Sequence, residues 1–319
     1  MNYRFAFKRT CQFSALEKEQ FCGLFSCVFP RTLGSAAFDR KYLCTPLGYS
    51  HHGLMFANDI LVGAYNLIPY TYRCFGARVL FGLSVDTMIQ EERRCGPFSL
   101  LCMATMAEEA AARDGVAFVF GFPNEKAYQP TRRLLGWADI GSLNFYALPW
   151  NIGAIDPRLG WLNIPARMWA RGLLWLPRVA RQRQNGFGIE KVYDTCFDRH
   201  RYDGEHSTID LGGGAKCVYR ICTEGDRVRV AFLIDVAPLT PECFKTALCH
   251  VYAATVGHAD MLLYVGRLPF RPGGCFRVPS FWEPRPIRIC GKILKPDLID
   301  KRVLDVEHWN VNISNSDVR

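Results

Sequence analysis

Val79-Leu80-Phe81-Gly82-Leu83-Ser84-Val85-Asp86-Thr87-Met88-Ile89 is followed by Gln90-Glu91-Glu92-Arg93-Arg94-Cys95-Gly96-Pro97-Phe98, and then by an alanine-rich stretch that runs to Arg113. The opening run is apolar and β-branched, which reads as a strand. From Phe98 the spacing of Leu101, Met103, Thr105, Met106, Glu108 and Glu109 becomes helical, and Asp114-Gly115 ends it. Val116 to Phe120 is a short apolar run of the fully buried kind, closed by Gly121-Phe122-Pro123-Asn124. A strand that feeds a tight basic turn into a helix leaves several main-chain N–H groups at the helix start unpaired and pointing one way. With the helix dipole behind them they make a seat for phosphate oxygens, and the ligand that suits it is a pyrophosphate.

Upstream, Tyr49 to Ala57, the turn Asn58-Asp59 and Ile60 to Ile68 read as an antiparallel hairpin, because apolar and β-branched residues flank an Asx-type turn. Downstream, a second helix from Glu125 to Leu135 stops at Gly136, where a glycine is expected just past a helix end. Residues 188–216, which include Gly212-Gly213-Gly214, read as a loop-rich entry to a second domain. There the order strand, turn, helix, strand recurs: Val228 to Val236, Ala237-Pro238-Leu239-Thr240-Pro241, Glu242 to Val256, Asp260 to Val265. Two copies of one architecture follow, and they differ at the turn. Two prolines remove donors from the second copy's turn, so only the first copy is expected to hold the phosphate.

Between the copies, Trp161 to Gln184 reads as a linker with helical pieces. On a helical wheel Arg167, Arg171, Arg178 and Arg181 share one sector opposite Trp169, Leu173 and Leu176, and Pro177 should break or kink the helix. Two readings stand: a peripheral membrane-surface or polyanion-binding helix, or an inter-domain helix with one solvated basic face. Arginines interrupt every window long enough to span a bilayer.

The 319 residues suffice for two domains, and 49% hydrophobic with 22% charged residues is a globular composition. The net charge of +9 favours anionic partners without choosing among them. The 14 cysteines include no Cys-x-x-Cys pair, and the N-terminal residues show no apolar run of signal-peptide length. A cytoplasmic protein with reduced thiols, mostly buried as small hydrophobes, is the expectation, with neither a disulfide framework nor a metal site.

Arg93-x-x-Gly96-x-Phe98, Gly121-Phe122-Pro123-Asn124 and Leu135-Gly136-Trp137 together resemble the GNAT superfamily, the N-acyltransferases that use acyl-coenzyme A. The family pattern is R/Q-x-x-G-x-G/A, an Asn after the next strand and a Gly-Phe or Gly-Trp after the next helix. Phe98 stands where its third small residue is usual. The resemblance covers about residues 40–150 and implies a fold of class α/β in α+β layers: two tandem GNAT-like domains, each a mixed, mostly antiparallel sheet flanked by helices, the second degenerate. The boundaries expected are 1–155, a basic linker over 156–190, and 191–319 as the half that walls the acceptor cleft, with Trp309 or Asp317 reaching it. The chain end, Trp309-Asn310 through Ser316-Asp317-Val318-Arg319, is similar to that of tandem-domain sugar N-acyltransferases, which implies a nucleotide-linked deoxyamino sugar as acceptor and a place in polysaccharide biosynthesis.

On that reading acyl-coenzyme A is the co-substrate. Its pyrophosphate sits on the amides from Arg94 through Cys95, Gly96, Pro97 and Phe98 to Ser99, with side-chain charge from Arg93 or Arg94, and its pantetheine arm pairs with the edge of Met88 and Ile89. Asn124 completes the cofactor set by resemblance. The family's tyrosine, four residues before the Gly-Phe pair, is Arg132 here, so Tyr128 becomes the candidate donor of a proton to the leaving thiolate, an ordinary packed tyrosine being the alternative. Asp86, Glu91 and the pair His51-His52 are the candidate bases. Each also has a structural reading: Asp86 capping or paired with an arginine, Glu91 solvated, the histidines alternating across a strand. Two other functions remain open at this level, a tandem-domain aminoacyl transferase using charged transfer RNA and a non-catalytic acyl-coenzyme A binder. The intact phosphate turn argues against nucleic acid as the partner.

Overall fold

The computed structural model describes residues 2–94, 96–175, 186–193, 195–202, 204–225 and 227–316. Its strands are β1 (Tyr3–Arg9), β2 (His51–Ala57), β3 (Ile60–Cys74), β4 (Ala77–Ile89), β5 (Val116–Gly121), β6 (Ala138–Ser142), β7 (Asn144–Pro149), β8 (Ile189–Lys191), β9 (Ser207–Gly212), β10 (Ala215–Glu224), β11 (Val228–Ala237), β12 (Met261–Gly266), β13 (Phe276–Arg277) and β14 (Arg288–Ile293). The helices are α1 (Ala15–Val28), α2 (Ser35–Phe38), α3 (Pro97–Arg113), α4 (Glu125–Leu135), α5 (Ile152–Ile155), α6 (Asn163–Trp175), α7 (Thr195–Arg201) and α8 (Pro241–Thr255).

Two compact units result, and they do not follow the expected cuts at 155 and 190. The first unit gathers Met1–Ser142, Gly188–Arg201 and Ile287–His308; the second gathers the rest. The first sheet runs β1-β2-β3-β4-β5-β14-β6, with β8 also on β3, and the second runs β13-β7-β12-β11-β10-β9. A strand from late in the chain, β14, therefore lies between β5 and β6, while β7, from the early half, pairs with β12. Nor is the basic segment a free linker: Ala170, Leu173 and Leu174 of α6 pack into the core of the second unit.

Local chemistry explains the first sheet. Asn58 and Asp59 take positive φ of 49° and 63°, the conformation a two-residue hairpin loop demands. Pro69 is tolerated inside the long strand β3 because β2 covers that edge up to Leu67 and β8 covers it from Tyr72, so no ladder bond is lost between them. Strands β4 and β5 are the parallel pair, joined through α3. α3 lies so close to the sheet that a Cβ on Gly53 would stand 1.9 Å from the carbonyl oxygen of Met103. Glycine is the residue that permits that approach.

The second unit repeats the arrangement. β11 and β12 are parallel and joined through α8, and β9, β10, β7 and β13 complete the antiparallel remainder. The cysteines depart from expectation: among the described residues Cys74, Cys217, Cys275 and Cys290 are buried, whereas Cys11, Cys27, Cys44 and Cys196 are exposed and the others intermediate. Many occupy helix surfaces and loops, where a short apolar side chain costs little. No described group of His, Cys, Asp and Glu is arranged to hold a metal ion, and no described helix is long and apolar enough to cross a membrane.

Gly53→Ala should force α3 off the sheet and cost about 3 kcal/mol, the upper range for overpacking a close contact. A fall in the urea midpoint of the first unit's transition checks it, and an unchanged midpoint would show that α3 can shift freely.

Candidate active site

The parallel pairing of β4 with β5 ends where Ser84 meets Gly121, yet β4 continues to Ile89. Over those last residues β4 keeps its bonds to β3 on one side, Met88 opposite Ala64 and Ile89 opposite Gly63. On the other side no described strand pairs with it. Between Val85, opposite Asn66, and Met88, opposite Ala64, two residues of β4 face Tyr65 alone, so Asp86 and Thr87 form a bulge. Asp86 holds a φ of 42°, unusual for a residue with a side chain.

That strained backbone is held from two directions. The Asp86 carboxylate is buried and accepts from the Tyr42 hydroxyl and the Lys41 ammonium, with Arg31 at 3.8 Å. The main chain is held by Asn66, whose Nδ2 donates to the carbonyls of Val85 (3.4 Å) and Asp86 (2.9 Å). Because Nδ2 is spent as a donor there, the Asn66 Oδ1 accepts from His52 Nδ1 at 2.8 Å. With Asn66 oriented this way, Nδ1 of His52 carries a proton, and its Nε2 lies 2.9 Å from Thr10 Oγ1, a hydroxyl that is also 2.9 Å from the Tyr42 carbonyl oxygen. Phe13, Phe21, Phe38 and Tyr42 surround the ring, and burial lowers its pKa to about 4. The imidazole is a neutral support for the bulge.

His51, its neighbour in sequence, points to the opposite face, as period-two strand geometry requires. Its Nε2 lies 2.8 Å from Asp114 Oδ2, and Arg9 holds the same carboxylate through Nε at 2.9 Å. Burial lowers the His51 pKa despite Asp114. Burial alone would raise Asp114, but the hydrogen bonds from Arg9 and His51 outweigh it and hold the carboxyl low. Neither histidine reaches open space, and both are completely buried. As bases they are corrected to structural groups.

At the turn, Arg93 N–H is spent on Gln90 and Arg94 N–H on Glu91. The Arg94 guanidinium lies 3.8 Å from Glu91, and both side chains are exposed. Pro97 has no N–H, and Cys95 lies outside the described residues. Among the described residues of the span Arg94–Ser99, the N–H groups left for the seat are those of Gly96, Phe98 and Ser99. Gly96 is the N-cap of α3, at φ 74° and ψ −162°, and no side chain caps that helix. This backbone conformation is essentially restricted to glycine. A Cβ at Gly96 would meet nothing within 4 Å, so the turn faces open space. Phe98 is exposed and rests edge-on against Phe5, so the large side chain in the small-residue position lies along β1.

Two expected site residues are otherwise occupied. Asn124 caps α4, accepting from Ala127 N–H at 2.9 Å, an N-cap signal that adequately explains an Asn at that place. Tyr128 is buried and donates its only hydroxyl proton to Asp139, while Arg132 donates to its oxygen at 3.4 Å and the Arg288 guanidinium lies 4.3 Å above its ring. That hydroxyl offers no further proton without giving up Asp139. Trp309 is completely buried, and Asp317 lies outside the described residues.

The second unit shows the same motif closed. β11 runs past its pairing with β12, which ends at Leu233 and Tyr264. It bulges at Ile234, between the pairs Val218–Asp235 and Tyr219–Leu233. Asp235 there accepts from the Tyr202 hydroxyl, as Asp86 does from Tyr42. But Asn312 Nδ2 donates to Asp235 at 2.8 Å, and Asn312 also bridges Gly266 at the end of β12. The buried segment Val311–Ser316 fills the place where β11 and β12 part. The N-terminus of α8 is capped by Thr240, whose hydroxyl accepts from Cys243 N–H. Neither the tail nor the cap announces itself in the sequence, since both depend on distant partners or on one hydroxyl.

The chain shares its fold with GCN5-related N-acetyltransferases. One from Anabaena variabilis ATCC 29413 superposes with a TM-score of 0.59 at 10% identity, over 92% of this chain and 73% of that one. One from Kribbella flavida gives 0.57 at 13% identity, over 92% and 71%. A conserved protein from Enterococcus faecalis V583, described as a probable N-acyltransferase, gives 0.52 at 11% identity, over 92% and 73%. No family model matches the sequence, and no curated protein matches it.

The buried histidines make the first unit acid-sensitive in a defined window. His52 and His200 both have folded pKa values near 4, below the ordinary 6.5, chiefly through burial. The unfolded chain then binds protons more readily, so stability is full above pH 6.5 and declines as pH falls towards 4. His52 alone accounts for about 3 kcal/mol of that decline. His52→Gln should flatten the profile of urea midpoints between pH 7 and 4.5; an identical slope would place the sensitivity elsewhere.

Proposed function

We propose that the chain is an N-acyltransferase that moves an acyl group from acyl-coenzyme A to the amine of a small acceptor. One observation carries the reading. In the first unit no described strand pairs with β4 beyond Ser84 on the β5 side, and β4 leads through a short turn to a helix start at Gly96 that has no side-chain cap, while the equivalent strand end and helix start of the second unit are closed by the chain itself. An extended arm with amide groups can add to such an edge as a strand does, and a pyrophosphate can end on Gly96, Phe98 and Ser99. The pantetheine arm and pyrophosphate of coenzyme A have that order and chemistry. The fold shared with N-acetyltransferases agrees with it.

The neutral amine attacks the thioester carbonyl carbon, forming the C–N bond and placing charge on the oxygen. A backbone N–H of Met88 or Ile89, fixed by the bulge, stabilises that oxyanion. The C–S bond then breaks, the thiolate leaves, and the ammonium nitrogen gives up its proton. With both histidines buried, Asp86 bound to Tyr42 and Lys41, and Tyr128 committed to Asp139, positioning does most of the catalysis and water carries the protons. Arg93 and Arg94 precede the phosphate seat in the chain. Among acceptors, the amino sugar of a nucleotide sugar is the one we favour, from the similarity of the chain end to sugar N-acyltransferases.

Thiol release from acetyl-coenzyme A with a panel of amines, nucleotide amino sugars among them, tests the reaction. Gly96→Glu should raise KM for acetyl-coenzyme A by about 10- to 100-fold, the loss of one charge-assisted contact. Gly96→Ala carries the backbone strain without the charge and should do less. Equal effects of the two would remove the phosphate from this turn.

Asn66→Ala leaves two bulge carbonyls and His52 without their partner. It should lower kcat by about 10-fold or more with a smaller change in KM, because the bulge amides act on the transition state. A change confined to KM would separate the bulge from the chemical step.

A further inference from the structure

The outer face of α6 is not simply a solvated basic face. Ala166 and Ala170 are buried, and Leu173 and Leu174 pack on the second unit's core, held there by Lys245 Nζ donating to the Leu173 carbonyl. On the opposite side Ile164, Met168, Arg171 and Trp175 fall within about 60° of one another on the helix cylinder. Ile164 is 74%, Met168 70% and Trp175 92% exposed, and Trp161, in the turn before the helix, is 73% exposed. Arg167 is exposed beside the ridge. A solvated helix face has no use for an isoleucine, a methionine and two tryptophans in a row.

The charged residues on and just before α6 are Asp156, Arg158, Arg167 and Arg171, so basic side chains outnumber acidic ones there, within a chain whose net charge is +9. Apolar side chains flanked by arginines, with tryptophans near both ends, match the boundary between anionic headgroups and acyl chains. Nucleic acid would engage the arginines and could stack on the tryptophans, but it offers nothing to Ile164 and Met168.

We propose that the exposed face of α6 docks the protein on the surface of an anionic phospholipid membrane. The helix lies in the plane of the interface, with Ile164, Met168 and Trp175 seated below the headgroups and Arg167 and Arg171 paired with phosphates. Only peripheral attachment is involved, through a short ridge, so binding is reversible and weakens with salt.

Co-sedimentation of the full chain with vesicles of phosphatidylcholine containing 30% phosphatidylglycerol tests this, at low and high salt and beside pure phosphatidylcholine vesicles. Binding is expected only to the anionic vesicles. It should fall by about 10-fold or more in the double variant Arg167→Glu/Arg171→Glu and similarly in Met168→Asp. Circular dichroism and thermal midpoints identify variants that keep the wild-type fold; the double variant alters only exposed side chains and keeps the test open if Met168→Asp fails. Equal binding to neutral vesicles, no binding to anionic ones, or binding that the folded double variant leaves unchanged would each overturn the proposal. So would displacement of bound vesicles by equimolar RNA, or a vesicle-free dimer in sedimentation velocity that Met168→Asp dissociates, because either would give the ridge a different partner.

Discussion

The first unit depends on two parallel strands that stop being neighbours. A parallel pair joined through a helix satisfies its backbone bonds only while the strands run side by side. β4 outruns β5 by five residues, Val85 to Ile89, and β3 is the described strand that still pairs with them. An exposed strand edge inside a protein is costly and invites pairing. Here β4 also leads to a helix start that no side chain caps, so a polar extended ligand with a phosphate at one end would complete both.

Holding that edge in position requires buried polar groups that are fully satisfied. Thr10, His52 and Asn66 form a chain from β1's end through the aromatic core to the bulge carbonyls, and each member has the tautomer or orientation that the next demands. A network of this kind stabilises one geometry when complete and is expensive when broken. On the other side the Asp86 carboxylate anchors to Lys41 and Tyr42, so the bulge is fixed through both its main chain and its side chain.

Much of this fold is legible in the sequence where signals are local. The turn at Asn58-Asp59, the crossover from Ile89 to Val116, and the helix stop at Gly136 are each written by residues next to one another, and the structure places them within a residue or two, although the hairpin's second strand runs on from Ile68 to Cys74. Long-range exchange is not written that way. The exchange of β7 and β14 between the sheets is decided by which edge accepts which strand, and no motif in 144–149 or 288–293 names its partner. The site divides similarly. Gly96 is recognisable because only glycine suits its φ and ψ, whereas His51 and His52 look like paired bases until strand alternation sends one to Asp114 and the other to Asn66. Asn124 carries a second local signal, since its Oδ1 caps α4 at the place where the family pattern has its Asn.

The tail that fills the second unit has a thermodynamic corollary. Val311–Ser316 is tethered to the fold it completes, so its local concentration is fixed by the chain and owes nothing to solution conditions. Among the described residues no strand or tail segment pairs with the corresponding side of β4 in the first unit, and a ligand there would add stability in proportion to the logarithm of its concentration. The two halves would then answer differently to metabolic state. The second would keep a constant melting behaviour, and the first would stiffen or loosen with the supply of a ligand that occupies its strand end.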